Sequence, residues 1–492
     1  MFVSHKGILL ATVMLAAAST PDRSAAQDFA EGETISLQRA IQLALANSQI
    51  ILAAEEGLNI AGHQVREAWA DVFPEVSVNV SYARNIKVQQ GFLPARLLDP
   101  TAPEGAVTAV RFGSDNTWNA ALTFDQPLFD FDLFIGVGAA SRFRGLAAEQ
   151  LRGTTQQVVT TVRQVYLNAL LATEDLRLTE NSLARTRATL RETEALNRAG
   201  LASSYDVLRL EVQVANLEPN VRRARNSVAA RKRSLLIEMG FEPTVEFELE
   251  GRLNEVDISG VGESDAANAL LLAVSVLPLE AELQVDELYG IALGRRSDVL
   301  QGRLTIDLQQ TRLRAEKAEY FPTLSLFSTY TVTAQEDRNP NFFGNSVTAA
   351  SAGIRVSVPV FQGFRRDARV QQSAATVRQN EAQLQRLRRE VEGDLRAILD
   401  NLEESKLRIE SQRRAVAQAE RGFEIASAEY REGLGSQLQI TDAENALRES
   451  EFNHAQAVFD YLMARIQLDT ALGTVPVAAG ELAVRVRDRG ES

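Results

Sequence analysis

The chain has no cysteine in 492 residues. That absence removes disulfides, thiolate metal sites, cysteine nucleophiles and a lipid-modified N-terminal cysteine together. Only three histidines occur, His5, His63 and His454, far apart in sequence. A histidine-based metal or acid–base centre has little to be built from. There is no Ser/His/Asp arrangement, no phosphate-binding glycine loop and no metal-ligand spacing. The sequence therefore points away from an enzyme and implies no cofactor. Positive charge is also short, with 52 Lys and Arg against 65 Asp and Glu and a net charge of -13. That balance speaks against a nucleic-acid partner. Beyond the N-terminus no run approaches 18 consecutive apolar residues, so no membrane-crossing helix is expected.

What is present begins with an export signal. Lys6 precedes the apolar run "GILLATVMLAAAS" at 7–19, and Ser24, Ala25 and Ala26 supply small residues for cleavage. Residues 1–26 read as a secretory signal peptide cut after Ala26, because the apolar run is well short of the ~20 residues that span a bilayer.

The rest is written twice. "WADVFPEVSVNVSY" at 69–82 aligns with "KAEYFPTLSLFSTY" at 317–330, "LTFDQPLFDF" at 122–131 with "IRVSVPVFQGF" at 354–364, and "RAGLASSYDVLRLE" at 198–211 with "REGLGSQLQITDAE" at 431–444. The organisation expected is a first repeat over 27–240, a linker over 241–289, a second repeat over 290–473 and a tail over 474–492. From Leu133 to Arg198 there is no proline, and Val158, Val162, Val165, Ala169, Leu176 and Leu183 recur at helical steps. Such a stretch, and its counterpart near 366–430, predicts a helix of about 100 Å, too long for a compact domain. Gly200 and Gly433 then end one helix, and Ser203 and Ser436 cap the next. Pro219 predicts a kink or break in the first returning helix.

Four strands are expected, at about 75–85, 116–126, 323–333 and 347–358. Val76, Val78, Val80 and Tyr82 alternate with Glu75, Ser77, Asn79 and Ser81, and Trp118, Ala120, Leu122 and Phe124 share a face in the second strand. Short segments with one apolar and one polar face, with aromatics, suit a transmembrane β-barrel. Alternation alone also suits a soluble sheet half-packed on helices. Export, over-long helices and duplication together favour the barrel. Four strands do not close one, so several chains must contribute.

The motifs "ISLQRAIQLALANS", "FPEVSVNVSY", "DQPLFDF"/"VPVFQGF" and "AGLASSYDVLRLE"/"EGLGSQLQITDAE" together resemble the TolC-type outer-membrane efflux proteins, over about 35–473. The resemblance implies an α+β membrane protein. It would be a homotrimer with a 12-stranded outer-membrane β-barrel, four strands per protomer, continuous with a long periplasmic α-helical barrel. It further implies a passive exit duct for small molecules such as drugs or metals, docked to a periplasmic adaptor (membrane fusion protein) and an inner-membrane pump, with outer-membrane lipid around the barrel. A type I protein-secretion duct is the alternative within the family. A soluble periplasmic coiled-coil scaffold is the alternative outside it.

By the same resemblance Pro74, Pro127, Pro322 and Pro359 mark helix-to-strand junctions. Gly200, Leu201, Ser203, Gly433, Leu434 and Ser436 form the tip turns that meet the adaptor. Asp206, Tyr430 and Asp442 take the places of a periplasmic gate, Tyr430 hydrogen-bonding toward Asp206. Gly435 stands where the family's pattern has an arginine, and Gln439 where it has a second ring aspartate. The loop at 86–115, with Gly91, Pro94, Pro100 and Pro103, is expected outside the cell.

Overall fold

The computed structural model describes residues 32–256, 270, 274, 284–338 and 346–475. The signal peptide read at 1–26, most of the stretch at 257–283 and the tail beyond 475 lie outside the described residues. After a two-residue strand β1 (Thr34–Ile35) come α1 (Leu37–Asn47), α2 (Gln49–Ala70) and β2 (Glu75–Arg84). A small hairpin follows, β3 (Gln90–Pro94) and β4 (Val107–Arg111), before β5 (Asn116–Phe129), α3 (Phe131–Arg198) and α4 (Ser204–Glu238). After β6 (Glu248–Leu249) the order returns: α5 (Val285–Arg295), α6 (Ser297–Ala318), β7 (Thr323–Glu336), β8 (Ser346–Ser357), α7 (Arg365–Arg431) and α8 (Gln437–Leu472). Corresponding helices match in length: 11 and 11 residues, 22 and 22, 68 and 67, 35 and 36.

Local chemistry sets the boundaries. The Asp130 side chain accepts from the Asp132 amide and opens α3, and Ser36 does the same for α1 through Arg39, each satisfying an orphan amide of the first turn. Helix α4 continues through Pro219 as one helix, without the break expected there. Pro74 and Pro322 immediately precede β2 and β7, and Pro359 follows β8 by two residues. Pro127 lies inside β5, three residues before Asp130. The ladder with β7 shifts register between Pro127 and Phe129, and such an irregularity accommodates a residue with no amide hydrogen.

Strands β2, β5, β7 and β8 form one antiparallel sheet in that order. Register sorts its two faces. Val76 lies opposite Phe124, Val78 opposite Leu122 and Tyr82 opposite Trp118, while Leu122 meets Tyr330 and Leu326 meets Ile354. That face is apolar, and most of its side chains are exposed in the protomer. The other face carries a row of hydroxyls, Ser77–Thr123–Thr329–Ser351, with Ser77 Oγ 2.6 Å from Thr123 Oγ1. Strands β2 and β8 are the two edges, each with one side unpaired in the protomer.

Each strand continues into a helix, so α2, α3, α6 and α7 pack side by side in the order of the sheet. Toward the other end the order is α4, α3, α8, α7. Helix α3 is thus flanked at both levels, and its buried residues (Val158, Val159, Val162, Tyr166 and Leu170 among them) spread over a wide face rather than one stripe. The main core gathers where these levels meet: α1, α3, α8, the end of α4 and the segment that follows α4, with Phe247, Leu253 and Val256 buried. There β1 pairs in parallel with β6, and the Tyr166 hydroxyl bonds the Ile35 and Glu250 carbonyls at 2.9 and 2.7 Å.

Candidate functional site

The two long helix pairs end in turns of one construction. In the first, the Gly200 amide donates to Asn197 O at 2.9 Å and the Leu201 amide to Leu196 O at 2.8 Å. In the second, Gly433 donates to Tyr430 O at 3.0 Å and Leu434 to Glu429 O at 2.8 Å. Each is a helix end closed by a left-handed glycine, at φ +78° and +76°, where a Cβ would be strained. Each leaves its leucine 76 and 77% exposed. Ser203 Oγ then accepts from the Tyr205 amide at 3.1 Å. Ser436 and Gln439 cap each other reciprocally, with the Gln439 side chain accepting from the Ser436 amide at 2.7 Å.

That capping box gives Gln439 a role of its own. Gly435 lies against the same turn: a Cβ there would lie 3.1 Å from the Glu429 Cβ and 3.2 Å from the Tyr430 nitrogen, so a side chain at this position requires its neighbours to give by a few tenths of an ångström.

Tyr430 is buried, and its hydroxyl lies 3.0 Å from Thr193 Oγ1. Within the protomer it bonds that threonine of α3 rather than Asp206. Asp206 stands in the first turn of α4 near enough to act through charge. Burial pushes the Tyr430 phenol above its usual range, and the carboxylates of Asp206 and Glu192 push the same way against the Thr193 bond. The hydroxyl is thus held protonated as a neutral partner. Asp442 is exposed, near the start of α8.

Sequence reasoning missed the rest of the seam between the helix pairs. Arg431 pairs with Glu192 at 3.1 Å, and Thr441 donates to Gln213 at 3.3 Å. Farther from the tip, buried Glu444 accepts from Ser182 Oγ and Arg185 Nε, both at 3.0 Å, and Arg185 reaches Glu451 at 3.3 Å. At the core Arg163 and Asp469, both with fully buried side chains, pair at 3.3 Å. The seam is polar, whereas neighbouring core positions are aliphatic. Hydrophobic periodicity carries no signal for buried hydroxyls and carboxylates. The arrangement offers hydrogen bonds and ion pairs between the two helix pairs; among the described residues it holds no group of carboxylates and histidines fit for a metal.

The family model described as "Outer membrane efflux protein" matches residues 40–240 and 288–474. Outer membrane protein TolC of Escherichia coli (strain K12) is 22% identical over 376 residues, covering 74% of this chain and 70% of that protein. Alkaline protease secretion protein AprF of Pseudomonas aeruginosa is 22% identical over 373 residues, covering 75% and 72%. The crystal structure of the Campylobacter jejuni CmeC outer membrane channel superposes with a TM-score of 0.70 at 14% identity, covering 92% of this chain and 88% of that one.

Proposed function

The chain belongs to the outer membrane efflux protein family, and from that premise we propose that it is the exit duct of a tripartite efflux system for small toxic molecules. It resides in the outer membrane with its helices in the periplasm. Three copies share a 12-stranded barrel, four strands from each, continuous with a helical tunnel. A periplasmic adaptor meets the tunnel's tip and an inner-membrane pump supplies the energy. The chain itself does no chemistry. Its halves, 27–240 and 290–473, are a duplication joined through 241–289.

One observation carries this reading: a four-stranded sheet with one apolar, exposed face and two unpaired edges. Such a sheet is unsatisfied both in water and, as a single copy, in lipid. Lipid covers the apolar face, and the next copy's edge strand covers each edge. The same observation disfavours a soluble scaffold, which would leave Val76, Val78, Val80 and Ile354 in water.

The tip turns are the adaptor's landing place, with Leu201 and Leu434 as the exposed apolar contacts. Asp206, Tyr430 and Asp442 belong to the periplasmic gate, and the four junction prolines mark the change from tunnel to barrel. The likeness to a protease secretion protein supports a second reading, a protein-secretion duct. Deleting the gene and assaying the cells separates the two. Increased sensitivity to small toxic compounds, restored by the wild-type gene, supports efflux; unchanged sensitivity with loss of an exported protein refutes it.

A further inference from the structure

We propose that Glu75, Asp125 and Arg355, repeated in each protomer, form a charge-selecting ring at the base of the barrel lumen, one that favours cations. The inference rests on the shared-barrel reading above and adds a filter to it, well away from the tip.

The four barrel strands carry five charged residues: Glu75, Arg84, Asp125, Glu336 and Arg355. Arg84 and Glu336 close their strands at the far rim. The other three gather at the end beside the helices, on the hydroxyl face. Glu75 lies directly opposite Asp125 in the ladder. Like charges in that arrangement destabilise a sheet, so folding alone gives no reason for it.

Arg355 offsets only part of the cost. Its Nη1 lies 3.5 Å from Asp125 Oδ2, with the two side chains 60 and 46% exposed. To reach β5 from β8 it crosses β7, and its guanidinium sits 4.8 Å over the Phe327 ring. Gly353, opposite Phe327 in the ladder, makes the room, since a Cβ there would lie 3.1 Å from that ring. The guanidinium is thereby aimed along the sheet surface. Among the described residues Glu75 has no ion-pair partner within the protomer. Glu75 is on one edge strand and Arg355 on the other. Closing the barrel brings β8 of one protomer beside β2 of the next, and with Arg355 turned inward onto its own Asp125, Glu75 stands at that boundary as the carboxylate no guanidinium offsets.

Each protomer contributes one more carboxylate than guanidinium, and the ring is net negative. Above it the wall is uncharged, with hydroxyls in the row Ser77–Thr123–Thr329–Ser351. Charge of one sign on the wall of a narrow, low-dielectric passage focuses the field, concentrating cations and excluding anions.

The absence of cysteine makes the test clean. Ser325 lies opposite Arg355 in register, so Ser325→Cys places a unique thiol beside the ring. Purified trimers in detergent are treated with a cationic and an anionic methanethiosulfonate, and each rate is divided by that reagent's rate with a free thiol. The expected result is faster cationic modification. Arg355→Gln raises the cation-to-anion ratio several-fold. Glu75→Gln with Asp125→Asn lowers it, and Arg355→Lys leaves it near the wild-type value. All differences shrink at about 1 M salt, where the screening length is ~3 Å against ~10 Å at 0.1 M. Glu75→Gln alone, which breaks no ion pair within the protomer, must also lower the ratio; it carries the test if the arginine variant does not assemble. A ratio unmoved by these changes overturns the ring. Val78→Cys, on the apolar face, reacting with both reagents while Ser325→Cys stays inert would instead overturn the barrel reading.

Discussion

Tyr430→Phe deletes the hydroxyl that lies 3.0 Å from Thr193 Oγ1 and changes little else. The bond ties α7 to α3 across the seam between the two helix pairs, close to both tip turns. A neutral hydrogen bond contributes about 0.5–1.5 kcal/mol net, and a buried partner left unsatisfied costs about 1–3 kcal/mol. Thr193 is fully buried, so the second figure applies in part. In the proposed trimer, about 1 kcal/mol per copy sums to ~3 kcal/mol, and if the bond favours the proposed closed state this is roughly a hundredfold in the open-to-closed ratio. Thr193→Val should act the same way. The double variant should not act twice, because replacing both partners by apolar groups of similar shape restores a satisfied interface. Planar-bilayer recordings should therefore show raised resting conductance for each single variant and a double variant nearer to wild type. Equal low conductance in all four proteins, or a double variant that adds the two effects, would refute the role of this bond.

Other expectations follow from the same structure. In detergent the native mass should be that of a trimer, since no protomer satisfies its own sheet edges; a folded monomer would remove the shared-barrel argument. An epitope inserted at Thr101, between β3 and β4, should label intact cells, and labelling only after outer-membrane rupture would invert the topology. Asp469→Ala strips the buried Arg163 of its ion-pair partner and should cost about 3–5 kcal/mol, seen as loss of assembled protein or a lowered unfolding midpoint. Asp469→Asn, which keeps a hydrogen-bond acceptor, should cost less.

Much of this architecture was legible because long-range order leaves short-range marks. The alternation from Val76 to Tyr82 can only place apolar residues together in an extended strand, and Glu75–Arg84 is one. Proline-free helical spacing from Leu133 to Arg198 marked a helix that begins two residues earlier, at Phe131. The loop at 86–115 concealed the β3–β4 hairpin, because its five-residue strands sit among glycines and prolines and carry no clear alternation. The parallel pair β1–β6 joins residues over 200 positions apart through two residues each, which leaves no pattern to read. The tip turns were visible in their glycines and serines. Thr193, the partner of Tyr430, was not: a buried threonine on a helix has the same letter as an exposed one, and only packing distinguishes them.

The row Ser77–Thr123–Thr329–Ser351 bears on friction. A hydroxyl both donates and accepts, so in the proposed barrel a solute crossing this level meets hydroxyls across the whole width of each protomer's wall and has no fixed pattern to match. In the proposed barrel this level is therefore a shallow well for chemically unlike solutes, and a shallow well releases what enters it. Substituting a rung position by aspartate or arginine would dig a well, slowing one class of solute while leaving the diameter of the passage almost unchanged.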